Sequence, residues 1–516
     1  MVTIGRLDTL EKIGATGQLT LVSFRFWPEA DGHERLLPRC LTPKWPNRAS
    51  RRSLLVRKKQ NKKNPGSEER GLWGKVGLGC DFGSPAEGVD ADSACTPCVV
   101  GQFGLHPPIA FALESPSPMT LSYGPQTLAI PGPSIVPERV LRAMHRASPN
   151  IYTGPFVEMT KSLAPDLKRV ARTEQQVAMY IGNGHTAWET ALANTHSRGD
   201  RVLVPLAGAF GRGWAEMAHG LGLQVETIDF GSASPIDPAR IGERLRADRS
   251  HEIRSVLVVH VDTSTSLRAD LAAIRREIDS AAHPALLQAD CIASLGCDRI
   301  EMDAWGVDVL IAGSQKGLML PPGMAFVFFN DRADRAREKA DCVTGHFDWR
   351  PRANPPTPSQ RFNGTAPTHH LHGLRESLDM IVHEEGIEAV WARHARLART
   401  VWAAFEAWER PDGVRLNVRD REHRSHAVTA IELPGHGTRL REWTEQHAGL
   451  TLGIGIGMAP PDSPRWHDFF RVGHMGHLSA HSLLGTLGCI GAGLKALGVP
   501  HGDGGLDAAA AIVAEG

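Results

Sequence analysis

Lys316 lies in Ala312-Gly-Ser-Gln-Lys-Gly-Leu-Met-Leu-Pro-Pro-Gly-Met324, a run with no other charged side chain. A lysine amine becomes a nucleophile toward carbonyl groups, and can form a Schiff base, when an apolar wall or a neighbouring cation lowers its pKa. Taken alone, a loop lysine reads as a solvated surface residue. Two other stretches give it company. Asp290 ends the apolar run Ala285-Leu-Leu-Gln-Ala289, and Val177-Ala-Met-Tyr-Ile181 runs into Gly182-Asn-Gly-His-Thr186 ahead of a helical stretch. A glycine turn that feeds a helix presents backbone N–H groups to an anion, and the helix dipole adds to the attraction. Neither G-x-G-x-x-G nor a Gly-Lys-Ser/Thr ending is present, so the turn is not a nucleotide fingerprint. By itself it reads as tight-turn packing, and Asp290 by itself as a carboxylate capping the next helix.

The elements that must position these groups alternate regularly from Met119 onward. Apolar periodicity predicts strands over 177–181, 201–205, 224–229, 255–261, 285–289, 307–312 and 323–329, with helices over 163–172, 187–194, 211–221, 238–246 and 270–282. Pro131-Gly-Pro-Ser134 is a turn ahead of a helix start at Pro137. Such alternation implies an α/β fold with a mostly parallel sheet and helices on both faces. Long amphipathic helices over 371–384 and 387–408 then lead into a smaller α/β unit with strands near 427–433, 450–454 and 469–472 and a closing helix over 482–497. The expected division is a large domain over 119–385 and a small C-terminal domain over 386–516. In a parallel sheet Asp290, Lys316 and the Gly182 turn all open on the C-terminal edge, where such folds bind ligands. Pyridoxal 5′-phosphate uses all three: a lysine for its aldehyde, an acid for its pyridine nitrogen and an anion cradle for its phosphate.

The 516 residues carry a formal net charge of +0 with 22% charged side chains, so the chain as a whole offers no argument for nucleic acid or membrane binding. No apolar run reaches the length of about eighteen residues that marks a membrane helix, and the first thirty residues lack a signal-peptide layout. A cytoplasmic enzyme is expected. The eight cysteines show no disulfide-like pattern, and Cys95-Thr-Pro-Cys98 reads as a free thiol pair. Residues 1–118 have a different texture: they hold more than half of the lysines, and the acid-free stretch 44–63 is strongly basic. They read as a disordered tail or as translation upstream of a start at Met119, rather than as a small basic module, because apolar periodicity is missing. His369, His370 and His372, or His474, His477 and His481, lack a matching carboxylate or cysteine arrangement, so no metal is expected. His474 is expected to line the site.

From about Met119 to the C-terminus the chain resembles the class V pyridoxal-phosphate aminotransferases, in particular the serine–glyoxylate and alanine–glyoxylate aminotransferases. The blocks that carry the resemblance are Pro131-Gly-Pro-Ser134, Gly184-His-Thr-Ala-Trp-Glu-Thr-Ala191, Asp262-Thr-Ser-Thr265, Asp290-Cys-Ile-Ala-Ser-Leu-Gly296, Gly313-Ser-Gln-Lys-Gly317 and Arg471-Val-Gly-His-Met-Gly476. The stretches Phe362 to Leu378 and Leu452 to Gly457 resemble the serine–glyoxylate branch most.

The resemblance implies a fold type I homodimer with shared active sites, acting on small amino and keto acids. Lys316 would be the Schiff-base lysine and proton carrier, and Asp290 the partner of the pyridine nitrogen. Asn183, Gly184, His185 and Gln315 would hold the phosphate, with Thr365 of the partner subunit reaching in beside Phe362. Phe210 would stack on the cofactor ring, Thr263 would lie near its phenolic oxygen, and Arg471 would clamp the substrate carboxylate. The implied reaction converts glyoxylate to glycine with serine as donor, or with alanine. The chain departs from the family pattern in Asn183, where serine is common, and in Asp262-Thr-Ser-Thr-Ser266, where Glu-Thr-Ser-Thr-Gly is common. Three alternatives remain. Pyridoxamine–pyruvate aminotransferase is opposed by the intact His185 and Ser-Gln-Lys block. A desulfurase-like lyase needs a mobile-loop cysteine, for which only Cys342 is a remote candidate. A non-catalytic protein tethered by a basic tail is opposed by Lys316, Asp290 and Arg471 together.

Overall fold

Apolar runs separated by amphipathic helices pair into two main sheets in the computed structural model, which describes residues 120–515. In chain order the strands are β1 (Thr127–Ala129), β2 (Gln176–Gly182), β3 (Arg201–Leu206), β4 (Gln224–Asp229), β5 (Ile253–Val259), β6 (Val261–Asp262), β7 (Leu267–Arg268), β8 (Leu286–Asp290), β9 (Val309–Gly313), β10 (Gly323–Phe329), β11 (Arg415–Leu416), β12 (Val428–Glu432), β13 (Leu450–Ile454) and β14 (Phe469–Gly473). The basic stretch 44–63, the Cys95–Cys98 pair and the 118/119 boundary lie outside the described residues.

The larger sheet has seven strands in the order β2-β10-β9-β8-β5-β3-β4. All run parallel except β10, which is antiparallel to both neighbours. Every residue of β8 and β9 is buried, as strands covered by helices on both faces must be, and this is why they read as unbroken apolar runs. The exception at β10 follows from chain length. A parallel return needs a crossover of a dozen or more residues, whereas the short loop between β9 and β10 can only fold back. That loop carries Lys316. It is closed on Ser314, whose Oγ donates to Pro321 O at 2.8 Å and whose backbone oxygen accepts from Leu320 N at 3.1 Å.

The second sheet has five strands in the order β1-β13-β14-β12-β11. Its core joins Val401, Phe405 and Trp408 of the helix Ile387–Trp408 to Phe470 and Val472 of β14 and to Leu487 of the helix Ala480–Ala496. Strand β1 pairs in parallel with β13, with Thr127 opposite Leu450. Residues 127–129, read from sequence with the large domain, therefore sit at the edge of the C-terminal sheet; three residues are too few to show a period. The helix expected over 163–172 begins at Pro155 and carries Pro165 inside it, a residue that breaks the sequence pattern. The helix expected over 371–384 is Thr368–Leu378 followed by a π-helical stretch, Asp379–Glu385, which stops at Gly386 with φ 81°. The helices Gly437–Ala448 and Gly505–Ala514 had no counterpart in the sequence reading. Among the described residues no helix is long and apolar enough to cross a membrane.

Candidate active site

Register places the two chemical side chains on one sheet edge. Asp290 is the last residue of β8 and stands opposite Ile311 of the parallel β9, so the chain leaves both strands in the same direction before it reaches Lys316. Asp290 is 4% exposed. Its Oδ2 accepts from the Trp188 indole N–H at 2.8 Å and its Oδ1 from Ile292 N at 2.8 Å. Burial outweighs both donors and pushes the carboxyl up to about 7.

The Pro131-Gly-Pro-Ser134 turn covers the lysine. Ser134 donates from its backbone N–H to Gln315 O at 2.9 Å and from Oγ to Lys316 O at 2.8 Å, while Lys316 Nζ donates to Pro131 O. Gly132 has φ +94°, a conformation that favours glycine, and a Cβ there would fall 2.6 Å from Lys316 Nζ, so the tip of the lysine would have to move. Burial, and then the positive charge of Arg471, bring the Lys316 amine down to about 8. These are the two conditions under which a lysine becomes a nucleophile.

Strand β2 ends in the glycine turn, and the helix Gly184–Thr195 starts there. Asn183 caps it, its side chain accepting from His185 N at 3.0 Å, and Thr186 completes a capping box. Gly184 lies close on the Asp290 loop: a Cβ at this position would meet Ile292 Cδ1 at 2.4 Å. Asn183 and His185 are exposed at the mouth of the turn. Gln315 carries a buried Oε1 with no hydrogen-bond partner. A half-turn of that amide exchanges oxygen for NH2, giving a donor that suits an anion.

Phe210 opens the helix Ala209–Gly220. Asp262, 1% exposed on β6, organises this corner: its Oδ2 accepts from Phe210 N at 3.0 Å and Gly211 N at 3.1 Å, and its Oδ1 from Ser264 N at 3.0 Å. A carboxylate on a helix N-terminus also meets the positive end of the dipole. The Phe210 ring lies edge-on to Trp188 at 6.4 Å. Thr263 follows, 4% exposed. Arg471, on β14 and 8% exposed, donates from Nη1 to Thr263 O at 2.8 Å and from Nε to Ile454 O at 2.6 Å. Burial holds its guanidinium below the ordinary range, at about 10.

Other expectations fall elsewhere. Phe362 is 6% exposed within the main apolar core of its own chain, and Thr365 is exposed; no hydrogen bond joins either to the Lys316 cluster. His474 does not line the site. It is fully buried, its Nε2 pairs with Thr429 Oγ1 and its Nδ1 with His426 O, each at 2.9 Å, and burial brings it down to about 4. The Cys342 thiol is pushed up by burial and by its hydrogen bond to Asp341, which opposes the thiolate a desulfurase needs. Among the described residues no group of three His, Cys, Asp or Glu side chains could hold a metal. Trp188 and Asp262 join the site through bonds that the sequence does not show. The signal for Trp188 was its spacing of three from His185, which puts both on one helix face.

The donor set fits pyridoxal phosphate: an amine with a depressed pKa, a buried acid, a helix N-terminus beside an unpartnered amide, and an aromatic flank. The architecture is that of the pyridoxal-phosphate-dependent transferases of fold type I. The structure of ureidoglycine–glyoxylate aminotransferase from Bacillus subtilis superposes with a TM-score of 0.65 at 26% identity, covering 76% of this chain and 98% of that one. Residues 128–444 match the model of the aminotransferase class-V family, and the chain belongs to that family. It is similar to the serine–glyoxylate aminotransferase of Methylorubrum extorquens, with 37% identity over 70% of this chain and 90% of the relative. It is also similar to the L-aspartate–glyoxylate aminotransferase of Paracoccus denitrificans, with 37% identity over 72% of this chain and 91% of the relative. The protein is a pyridoxal-phosphate-dependent aminotransferase, and its substrates are amino and keto acids.

Proposed function

We propose that this aminotransferase moves the amino group of serine to glyoxylate, giving glycine and hydroxypyruvate. The observation that carries the reading is Arg471, a buried guanidinium that two backbone oxygens fix close enough to Lys316 to lower the amine's pKa. A substrate carboxylate bound there brings its α-carbon toward the lysine. The relatives named above support glyoxylate as acceptor.

When bound, pyridoxal phosphate supplies an aldehyde and a ring that takes up the electron pair left on the substrate carbon. Lys316 takes a proton at Nζ from the substrate α-carbon and returns one, a task for which an amine near pKa 8 is suited. Asp290 would hold the pyridine nitrogen in its protonated form. Asn183, Gly184, His185 and Gln315 would hold the phosphate, Phe210 would flank the ring, and Thr263 would lie near the phenolic oxygen. Arg471 binds and orients the carboxylate.

We assign a homodimer in which Thr365 of the partner subunit reaches into the phosphate site beside Phe362. The exposure of Thr365 supports this. The division into a large domain over 119–385 and a small one over 386–516 is supported by the break at Gly386, with β1 as the exception that belongs to the C-terminal sheet. A cytoplasmic setting agrees with the free cysteines 291, 297, 342 and 489.

The test is an amino-donor panel of serine, alanine and aspartate with glyoxylate, following glycine. Serine should give the highest kcat/KM. A higher value for alanine or aspartate would replace serine as the donor, and no glycine from any of them would remove glyoxylate as the acceptor.

A further inference from the structure

Trp188 and Trp214 stack at 6.1 Å with an angle of 12° between the rings, and both are buried. They differ in their N–H groups. That of Trp188 donates to Asp290 Oδ2 at 2.8 Å, and that of Trp214 has no partner. The Trp188 ring also meets His185 at 4.8 Å and Phe210 at 6.4 Å, both edge-on. One side chain therefore touches the buried acid, the anion turn and the flanking aromatic.

We propose that Trp188 is a positioning residue for the cofactor acid: its N–H fixes the plane of the Asp290 carboxylate, and its ring sets His185 and Phe210 relative to that plane. This rests on the reading of Asp290 as the partner of the pyridine nitrogen. A carboxylate held through Oδ1 alone, by Ile292 N, can swing about its last torsion, and a second donor on Oδ2 removes that freedom. A donor to the ionised form also favours that form. It thus works against the burial that pushes the acid up, and keeps Asp290 able to hold a proton on the ring nitrogen rather than on itself. Replacing the indole by phenyl would leave a buried carboxylate oxygen with no partner.

The stacked pair provides its own control. Trp188→Phe, Trp214→Phe and Asp290→Asn are prepared in the full-length holoenzyme, and two quantities are read: the dissociation constant of pyridoxal phosphate and the pH midpoint of the bound cofactor's absorption. Trp188→Phe should weaken binding about tenfold or more and move the midpoint in the same direction as Asp290→Asn. Trp214→Phe should move the midpoint little. If both tryptophan variants behave alike in both readouts, Trp188 only fills space and the proposal fails while the assignment of Asp290 stands. If Asp290→Asn changes neither quantity, that assignment fails and the proposal falls with it. Should Trp188→Phe not fold, the indole N–H resonances of the 15N-tryptophan-labelled protein decide: Asp290→Asn must shift that of Trp188, and an unshifted set overturns the proposal.

Discussion

Arg471 Nη1 donates to the backbone oxygen of Thr263 at 2.8 Å, tying β14 of the five-stranded sheet to the loop that follows β6. Arg471, proposed to bind the substrate carboxylate, thus comes from the five-stranded sheet, whereas Asp290 and Lys316 stand at the edge of the seven-stranded one. A charge-assisted contact to a carboxylate contributes about 1.5–3 kcal/mol. Arg471→Ala should therefore lower kcat/KM for amino and keto acids by about 10- to 150-fold while the cofactor absorbance stays. Arg471→Lys should recover part, because an ammonium cannot reproduce the two-pronged fork. Steady-state kinetics on both substrates check this, and unchanged constants in both variants would take Arg471 out of the site.

Lys316 has an amine brought down to about 8 from an ordinary value of 10.5. At pH 7 about one-tenth of it is neutral, against well under about one-thousandth for an unperturbed lysine. In protein stripped of cofactor, labelling of Lys316 by an amine-acylating reagent should rise with pH to a half-point near 8, followed by peptide mapping. Borohydride treatment of the holoenzyme should fix the cofactor on the same peptide, and Lys316→Ala should abolish turnover. A half-point above 10 would show that the amine is solvated.

Asp290 carries a prediction about stability. Its carboxyl is raised to about 7 from 3.8, so the folded, cofactor-free protein holds this proton more tightly than the unfolded chain does. Between about pH 4 and 7 unfolding releases the proton, so the group's contribution is largest at low pH and falls as pH rises to 7, by about 4 kcal/mol at most. The buried histidines His196, His260, His394 and His474, brought down to about 4, 4, 3 and 4, act in the opposite sense, adding stability as pH rises toward 6.5. Denaturation of wild type against Asp290→Asn separates the two contributions. The variant should gain more stability on going from pH 4 to 7, and parallel curves would show that Asp290 is not desolvated.

Much of this was legible because each feature had a sequence correlate. The doubly buried strands β8 and β9 read as apolar runs, so the positions of Asp290 and Lys316 at their ends followed. The order of strands did not, since hydrogen-bonding partners leave no period in a sequence; nothing within Gly323 to Phe329 marks β10 as the reversed strand, and only the shortness of the loop before it does. His474 was misread because its neighbour Arg471 suggested the site. Alternation along the strand end turns successive side chains to opposite sides, and His474 instead bonds Thr429 and His426 inside the protein. Asp262 and Trp188 were legible as residues but not as partners, because their bonds to Phe210 N and Asp290 Oδ2 span separations of 52 and 102 residues.

The start of the catalytic unit can be tested by cutting the chain. Thr120 Oγ1 donates to Gln446 O at 2.8 Å, β1 pairs with β13 through Thr127, Leu128 and Ala129, and the turn after it covers Lys316. A chain beginning at Met119 retains all of these contacts and should fold, bind pyridoxal phosphate and transaminate as the full chain does. A chain beginning at Gly132 loses β1 and Pro131 O, the oxygen to which Lys316 Nζ donates. It also leaves β13 as an open edge, a site for unwanted pairing. That shorter chain should bind the cofactor more weakly and aggregate, as read by absorbance and size-exclusion chromatography. If the chain from Met119 fails while the full chain is active, residues 1–118 contribute to the fold and the unit does not begin there.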